Sequence, residues 1–273
     1  MLSIIQNEIN YMIHDRKLFI CMVVFAFYCG TNINMAETSK MSLLEYMISL
    51  FANDYYVIYF MFFLFLWIMV SSFRTEKFLI LIRSFSIKRF YLCQVIIIIT
   101  KTILYVALHV IVAFFIGVGR FPYKNKFQIN EINGYYNETL ERVLELKKYF
   151  LSPIRAVLMV ILFLIVGFTF CSFLLEVINI LMGKKVTLVI SGIIILNVML
   201  GFKTNLDCLC EFLFLNNYFI FSPSIFKKGD LNIFINVLVA IASIFFGYYS
   251  IKRKVGNKTR KRKQNKGVSY ECN

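Results

Sequence analysis

The stretch Arg74–Cys93, RTEKFLILIRSFSIKRFYLC, decides how this chain is read. It places five cations (Arg74, Lys77, Arg83, Lys88 and Arg89) and one acid, Glu76, between two strongly apolar runs, Tyr55–Phe73 and Gln94–Val118. Each run approaches or exceeds the roughly 20 residues that one bilayer crossing takes. A short basic segment between two spans belongs on the cytoplasmic side, where Lys and Arg accumulate. Within it, Arg74–Ile82 reads as a helical continuation of the preceding span, Arg83–Ser86 as a turn, and Ile87–Cys93 as the lead into the next span.

The rest of the composition agrees with that reading. Of the 273 residues, 59% are hydrophobic and 17% aromatic, with three prolines, more apolar surface than a soluble domain needs; the chain is an integral membrane protein of the all-α class. The net charge is +15, but the cations cluster beside the apolar runs. That placement serves orientation and anionic lipid, not nucleic acid. The seven cysteines have no metal-ligand spacing, and four of them lie in or beside apolar runs, where cysteine packs as a small hydrophobe. The first residues lack the layout of a removable signal peptide.

Working outward, residues 1–16 are too polar to span, yet Ile4, Ile5, Ile9, Met12 and Ile13 recur near the helical period, which predicts an interfacial helix. Six spans are expected: Leu18–Asn34, Tyr55–Phe73, Gln94–Val118, Ile154–Ile180, Val186–Phe202 and Asn232–Ile251. Met35–Asp54 reads as a polar outer connector. Gly119–Ser152 is a second one, with a helix starting at Asn137 whose apolar side is Leu140, Val143, Leu144, Phe150 and Leu151. The short break Met182–Lys185 forces an antiparallel return. Lys203–Leu231 is aromatic but broken by Asp207, Glu211, Asn216, Asn217 and Pro223, so it fits a re-entrant outer element between the last two spans. The tail from Lys252 is basic, with nine Lys/Arg. With these cations inside, both termini lie in the cytoplasm of a multi-pass cell-membrane protein.

Catalytic constellations are missing from the sequence. It has no HExxH, no GxSxG and no GxxxxGK[ST], so this chain does not hydrolyse ATP by the Walker mechanism and no cofactor or metal is expected on it. Two histidines, His14 and His109, do not make a His-based metal site. Polar residues inside the spans are candidates for a path: His109 in the third, Asn197 in the fifth, and Trp67 in the second. Lys101 lies two turns into the third span and is expected to snorkel to the surface. Glu176 is expected to pair with a basic neighbour near Lys184. Asn137-Glu138-Thr139 matches a glycosylation pattern too short to carry weight.

The order of elements resembles the permease subunit of an ABC-2 type transporter. The local match is Leu79–Gln94, LILIRSFSIKRFYLCQ, in which Arg83, Ser84, Ser86, Lys88, Arg89 and Phe90 occupy the positions of the family's basic turn leading into the third span; Ser86 stands where a proline is usual, and Gln94 where a basic residue is usual. The resemblance implies that Arg74–Cys93 is a cytoplasmic coupling helix on which a separate ABC ATPase subunit, holding ATP and Mg, docks through Arg74, Glu76, Lys77, Arg83, Ser84, Ser86, Lys88 and Arg89. It also implies a second permease chain, identical or related, completing the path. The expected function is that of an ATP-driven exporter of an amphipathic or hydrophobic substrate, an antimicrobial peptide or a lipid-like molecule. The alternative is a non-transporting membrane sensor or assembly factor held to anionic lipid by its basic tail; a membrane enzyme ranks third.

Overall fold

The computed structural model describes residues 2–72, 87–129, 138–203, 238 and 241–253. Every regular element among them is helical. In chain order these are α1 (Leu2–Ile13), α2 (Arg16–Thr38), α3 (Leu43–Phe51), α4 (Asp54–Tyr56), a π-helical segment (Val57–Phe62), α5 (Phe63–Ser72), α6 (Ile87–Val118), α7 (Glu138–Tyr149), α8 (Pro153–Met182) and α9 (Lys184–Lys203). A last helix, α10, covers 241–253. Among the described residues three helices are long and apolar enough to cross a membrane: Arg16–Thr38, Lys88–Val118 and Pro153–Met182. Lys203–Leu231, expected to be re-entrant, falls beyond Lys203 outside the described residues, as does the tail after Arg253.

Local chemistry sets the helix ends. The Asp15 side chain accepts from the Lys17 backbone N–H at 3.0 Å and opens α2. Pro153 sits in the first turn of α8, where a missing N–H costs nothing. At its other end Gly183, at φ 90°, takes a conformation that a side chain would oppose, and α9 starts at the next residue. The sharp return expected at Met182–Lys185 is therefore made by one glycine.

Helix α6 is the axis. It packs against α1, α2, α3 and α8, while α8 in turn packs on α3 and α9. One face of α6 is buried through Ile98, Lys101, Thr102, Tyr105, Val106, His109 and Ala113. The opposite face exposes Ile96, Ile103, Ile111 and Phe115, the pattern of a helix with a lipid side and a protein side. Near its end, Gly117 permits close approach: a Cβ there would lie 2.6 Å from Leu43 Cδ1 and 3.0 Å from the Tyr46 ring.

The chief correction to the sequence reading concerns Met35–Asp54. It is no polar connector: α2 runs on to Thr38, and every residue of α3 is buried. Helix α3 descends from the level of Pro122, whose carbonyl accepts from the Leu43 N–H at 3.0 Å, to that of Phe25, whose ring is 5.8 Å from Phe51. Tyr56, just after the break at Ala52 and Asn53, lies 5.2 Å from the same Phe25 ring. The helical stretch before Ser72 thus starts at Leu43 and is discontinuous, where a single run from Tyr55 was expected.

The acid that hides this helix from a hydropathy reading is Glu45, fully buried. Its carboxylate accepts from the Ser42 N–H (2.8 Å) and hydroxyl (2.7 Å) through one oxygen, and from the N–H groups of Gln128 (2.6 Å) and Ile129 (3.0 Å) through the other. The bond from the Ser42 N–H, with the Glu45 N–H donating back to the Ser42 hydroxyl oxygen at 3.4 Å, forms a capping box. The second ties the connector after α6 onto the start of α3. Beyond that connector, α7 begins at Glu138 next to the expected Asn137, and buries Leu140, Val143 and Leu146; Leu151, expected on its apolar side, is 91% exposed. Ile13 of α1, also expected to face inward, is half exposed because the buried side of that helix ends at Met12.

Removing the Glu45 carboxylate strands four donors, three of them backbone amides. Glu45→Ala should destabilise the protein by roughly 3 kcal/mol or more, and Ser42→Ala by about 1 kcal/mol. Thermal unfolding midpoints in detergent check the order of the two.

Candidate functional site

The buried face of α6 carries three polar side chains one helical turn apart, Lys101, Tyr105 and His109. At 1.5 Å of rise per residue they span about 12 Å along the bundle. Each meets a different element.

His109 is fully buried. Its Nδ1 lies 2.9 Å from the Tyr105 carbonyl, the preceding turn of its own helix, and its Nε2 has no hydrogen-bond partner. The imidazole packs 4.6 Å from the Phe25 ring and 4.4 Å from Tyr105. Phe25 is also the ring that touches both sides of the α3–α4 break, so His109 stands beside the interruption. Tyr28 and Tyr56 stack across it at 4.1 Å, and the buried Tyr56 hydroxyl has no partner. Aromatic rings and single unpaired polar atoms thus surround the break.

Tyr105 explains how the next segment is tolerated. Over Val57–Phe62 the backbone takes the wider π-helical spacing, a local irregularity concentrated at functional sites. The Tyr105 hydroxyl donates to the Met61 carbonyl at 2.9 Å. It thereby gives a carbonyl of the irregular segment a partner that lipid could not supply.

Lys101 does not snorkel. It is 3% exposed, and its ammonium donates to Glu8 of α1 at 2.9 Å. Glu176 of α8, expected to pair with a basic neighbour, is half-buried. Glu176 Oε2 has no hydrogen-bond partner, and neither has the Oδ1 of Asn179, one turn away. The Lys101 ammonium is thus held by one carboxylate, Glu8, inside the bundle.

The other sequence candidates are dispersed. Arg74, Glu76, Lys77, Arg83, Ser84 and Ser86 lie outside the described residues. Lys88 and Arg89 are exposed on the first turn of α6, whereas Phe90 is buried. Trp67 is 42% exposed on α5, with the Lys17 ammonium 5.2 Å from its ring centroid, a cation–π contact at the outer surface of the bundle. Asn197 is half-buried on α9, away from the α6 stripe in sequence and element. Cys21, Cys29, Cys93 and Cys171 are free and buried. Among the described residues no group of three His, Cys, Asp or Glu could hold a metal ion.

Of the central cluster, sequence reading reached His109 and sent Lys101 to the surface instead of to Glu8. It missed Glu8, Tyr56, Tyr105 and the α3–α4 break. The spacing of Lys101, Tyr105 and His109 at four-residue intervals is the signal that could have joined them. Comparison with protein-family models, with characterised proteins and with solved structures found no match to this chain.

Tyr105→Phe leaves the Met61 carbonyl unpaired while keeping the ring, and should cost about 1 kcal/mol of stability. The expected readout is a small drop in thermal midpoint in detergent, with Tyr105→Ala costing several times more through the lost core contacts.

Proposed function

We propose that this chain is the membrane-spanning subunit of an ATP-driven exporter, working with a separate ATPase. One observation carries the transport part of the reading: a helix is broken in the interior of the bundle, between Phe51 and Tyr56, beside the buried His109. In a protein surrounded by lipid, irregular backbone and ionisable groups at depth are costly, and they are kept where they line a path or a binding site. The motor part rests on the basic segment and its likeness to the ABC-2 permease pattern. Helix α6 starts at Ile87, within that segment, and leaves Lys88 and Arg89 exposed, as a docking surface for an acidic groove requires.

On this reading the chain makes six crossings in the cell membrane, with both termini in the cytoplasm and a second permease chain completing the path. Exposed apolar faces on α2 (Phe19, Val23, Phe27) and α9 (Val189, Ile193, Leu196) suit contact with lipid and with that second chain. The aromatic surroundings of the break suit an amphipathic or hydrophobic substrate, such as an antimicrobial peptide or a lipid-like molecule. ATP and Mg belong to the partner.

Affinity purification of the full chain from its own membranes in mild detergent should recover a polypeptide with a Walker motif and ATPase activity. Arg83→Glu combined with Arg89→Glu should reduce that recovery by at least about tenfold, since like charges across a docking surface cost several kcal/mol. A preparation with no associated ATPase overturns the assignment and leaves the non-transporting reading.

A further inference from the structure

The connector after α6 is anchored at several points. The Phe121 ring stacks on Tyr46 at 4.6 Å, the Pro122 carbonyl accepts from the Leu43 N–H at 3.0 Å, and Glu45 takes the amides of Gln128 and Ile129. Between these anchors the Asn125 side chain accepts from the Ile154 N–H at 3.4 Å, which sets the connector against the first turn of α8. The residues that take no part in anchoring stay outside: Tyr123 is 63% exposed, and Lys126 and Arg155 are exposed with it, as is Lys124.

The positive charge of this surface has no local compensation. The Lys124 ammonium donates to the side-chain carbonyl of Gln128 at 3.1 Å, a neutral partner. Among the described residues, Lys124, Lys126 and Arg155 are in no ion pair. Acids on the flanking elements are taken up elsewhere: Glu45 by its four donors, Glu37 by Arg120 at 3.5 Å, and Glu145 by Arg142 at 3.2 Å. The surface also has an apolar edge in the exposed Leu151 and Ile154. It lies where α6 ends and α8 begins, and both helices are long and apolar enough to cross a membrane. Aromatic rings and cations at that level meet lipid headgroups. A soluble acidic partner would answer the cations alone, whereas lipid answers the cations and the apolar edge together.

We propose that Tyr123–Lys126 and the first turn of α8 form a binding surface for the headgroups of anionic phospholipid in the leaflet at that end of the bundle. Lys124, Lys126 and Arg155 donate to the phosphate oxygens, while Tyr123 and Leu151 enter the boundary between headgroups and acyl chains. Because the connector is already fixed to α3 and α8, binding has little backbone left to order. The surface is separate from the buried stripe of α6 and from the basic segment at that helix's other end. It therefore stands independently of the export reading.

The test uses the full chain with Trp67→Phe and Tyr123→Trp, so that a single tryptophan reports from this surface. It is reconstituted in vesicles of phosphatidylcholine with about 30% phosphatidylglycerol. Two preparations of the same composition carry bromine on the acyl chains of one lipid or of the other, and quenching is compared per mole of brominated lipid. Phosphatidylglycerol should quench about threefold more than phosphatidylcholine. The ratio should fall to about one when Lys124→Gln, Lys126→Gln and Arg155→Gln are combined, and also in ~1 M salt, where the screening length is only about 3 Å. A ratio near one in the parent overturns the proposal, as does a ratio that the three substitutions leave unchanged. Absence of quenching by either lipid overturns it too, and turns the cations over to a soluble acidic partner. Leu151→Trp in place of Tyr123→Trp takes the same reading if the first reporter protein fails to fold.

Discussion

Polar groups in this bundle must find partners within the protein, because lipid tails offer none. That constraint explains most of what is irregular here. Glu45 can sit fully buried because four donors converge on its two oxygens. The hydroxyl of Tyr46, on the next position, donates to the Cys29 carbonyl at 3.0 Å, and that of Tyr105 to the Met61 carbonyl. Serine and threonine hydroxyls on the long helices bond back to their own preceding turns, as Thr102 does to Ile98 and Ser172 to Phe168. Where a polar atom has no partner, at His109 Nε2, Tyr56 and Glu176 Oε2, the cost has to be justified by use.

Those exceptions fall on or against the face of α6 that is turned to the protein. Its two ends serve different purposes. Toward Gly117 the helix is smooth enough for α3 to press against it, and the Gln128 and Ile129 amides bonded to Glu45 lock that junction to the connector that follows. Toward Ile87 the same face carries Lys101 and receives the amphipathic α1. Between them, the break after Phe51 is walled by Phe25, Tyr28, Tyr56 and His109.

Much of the frame was legible from residue pattern. The long apolar runs at Leu18, Gln94 and Ile154 correspond to α2, α6 and α8, because a span needs only length and apolarity. The glycine return after Met182 and the amphipathic first helix were equally plain, since both are local. Met35–Asp54 misled because a hydropathy reading scores Ser42, Glu45 and Ser49 as polar one by one. The capping box and the amides of Gln128 and Ile129 neutralise Glu45 only once residues more than eighty positions apart are brought together. Tyr105 was silent for the same reason, as its hydroxyl has a purpose only opposite the π-helical segment.

By itself, then, the amino-acid sequence determined that this is a helical membrane protein, where its long helices run, and which charged segment stands between two of them. Those properties depend on the cost of placing each residue in lipid or water, a sum over single residues and their near neighbours. Only the tertiary structure decided that the helix before Ser72 is broken at Ala52 and Asn53, that Lys101 is matched to Glu8, and that Glu45 is an interior anchor. Each of these depends on a partner distant in the chain, and a buried charge is costly or favourable according to that partner alone.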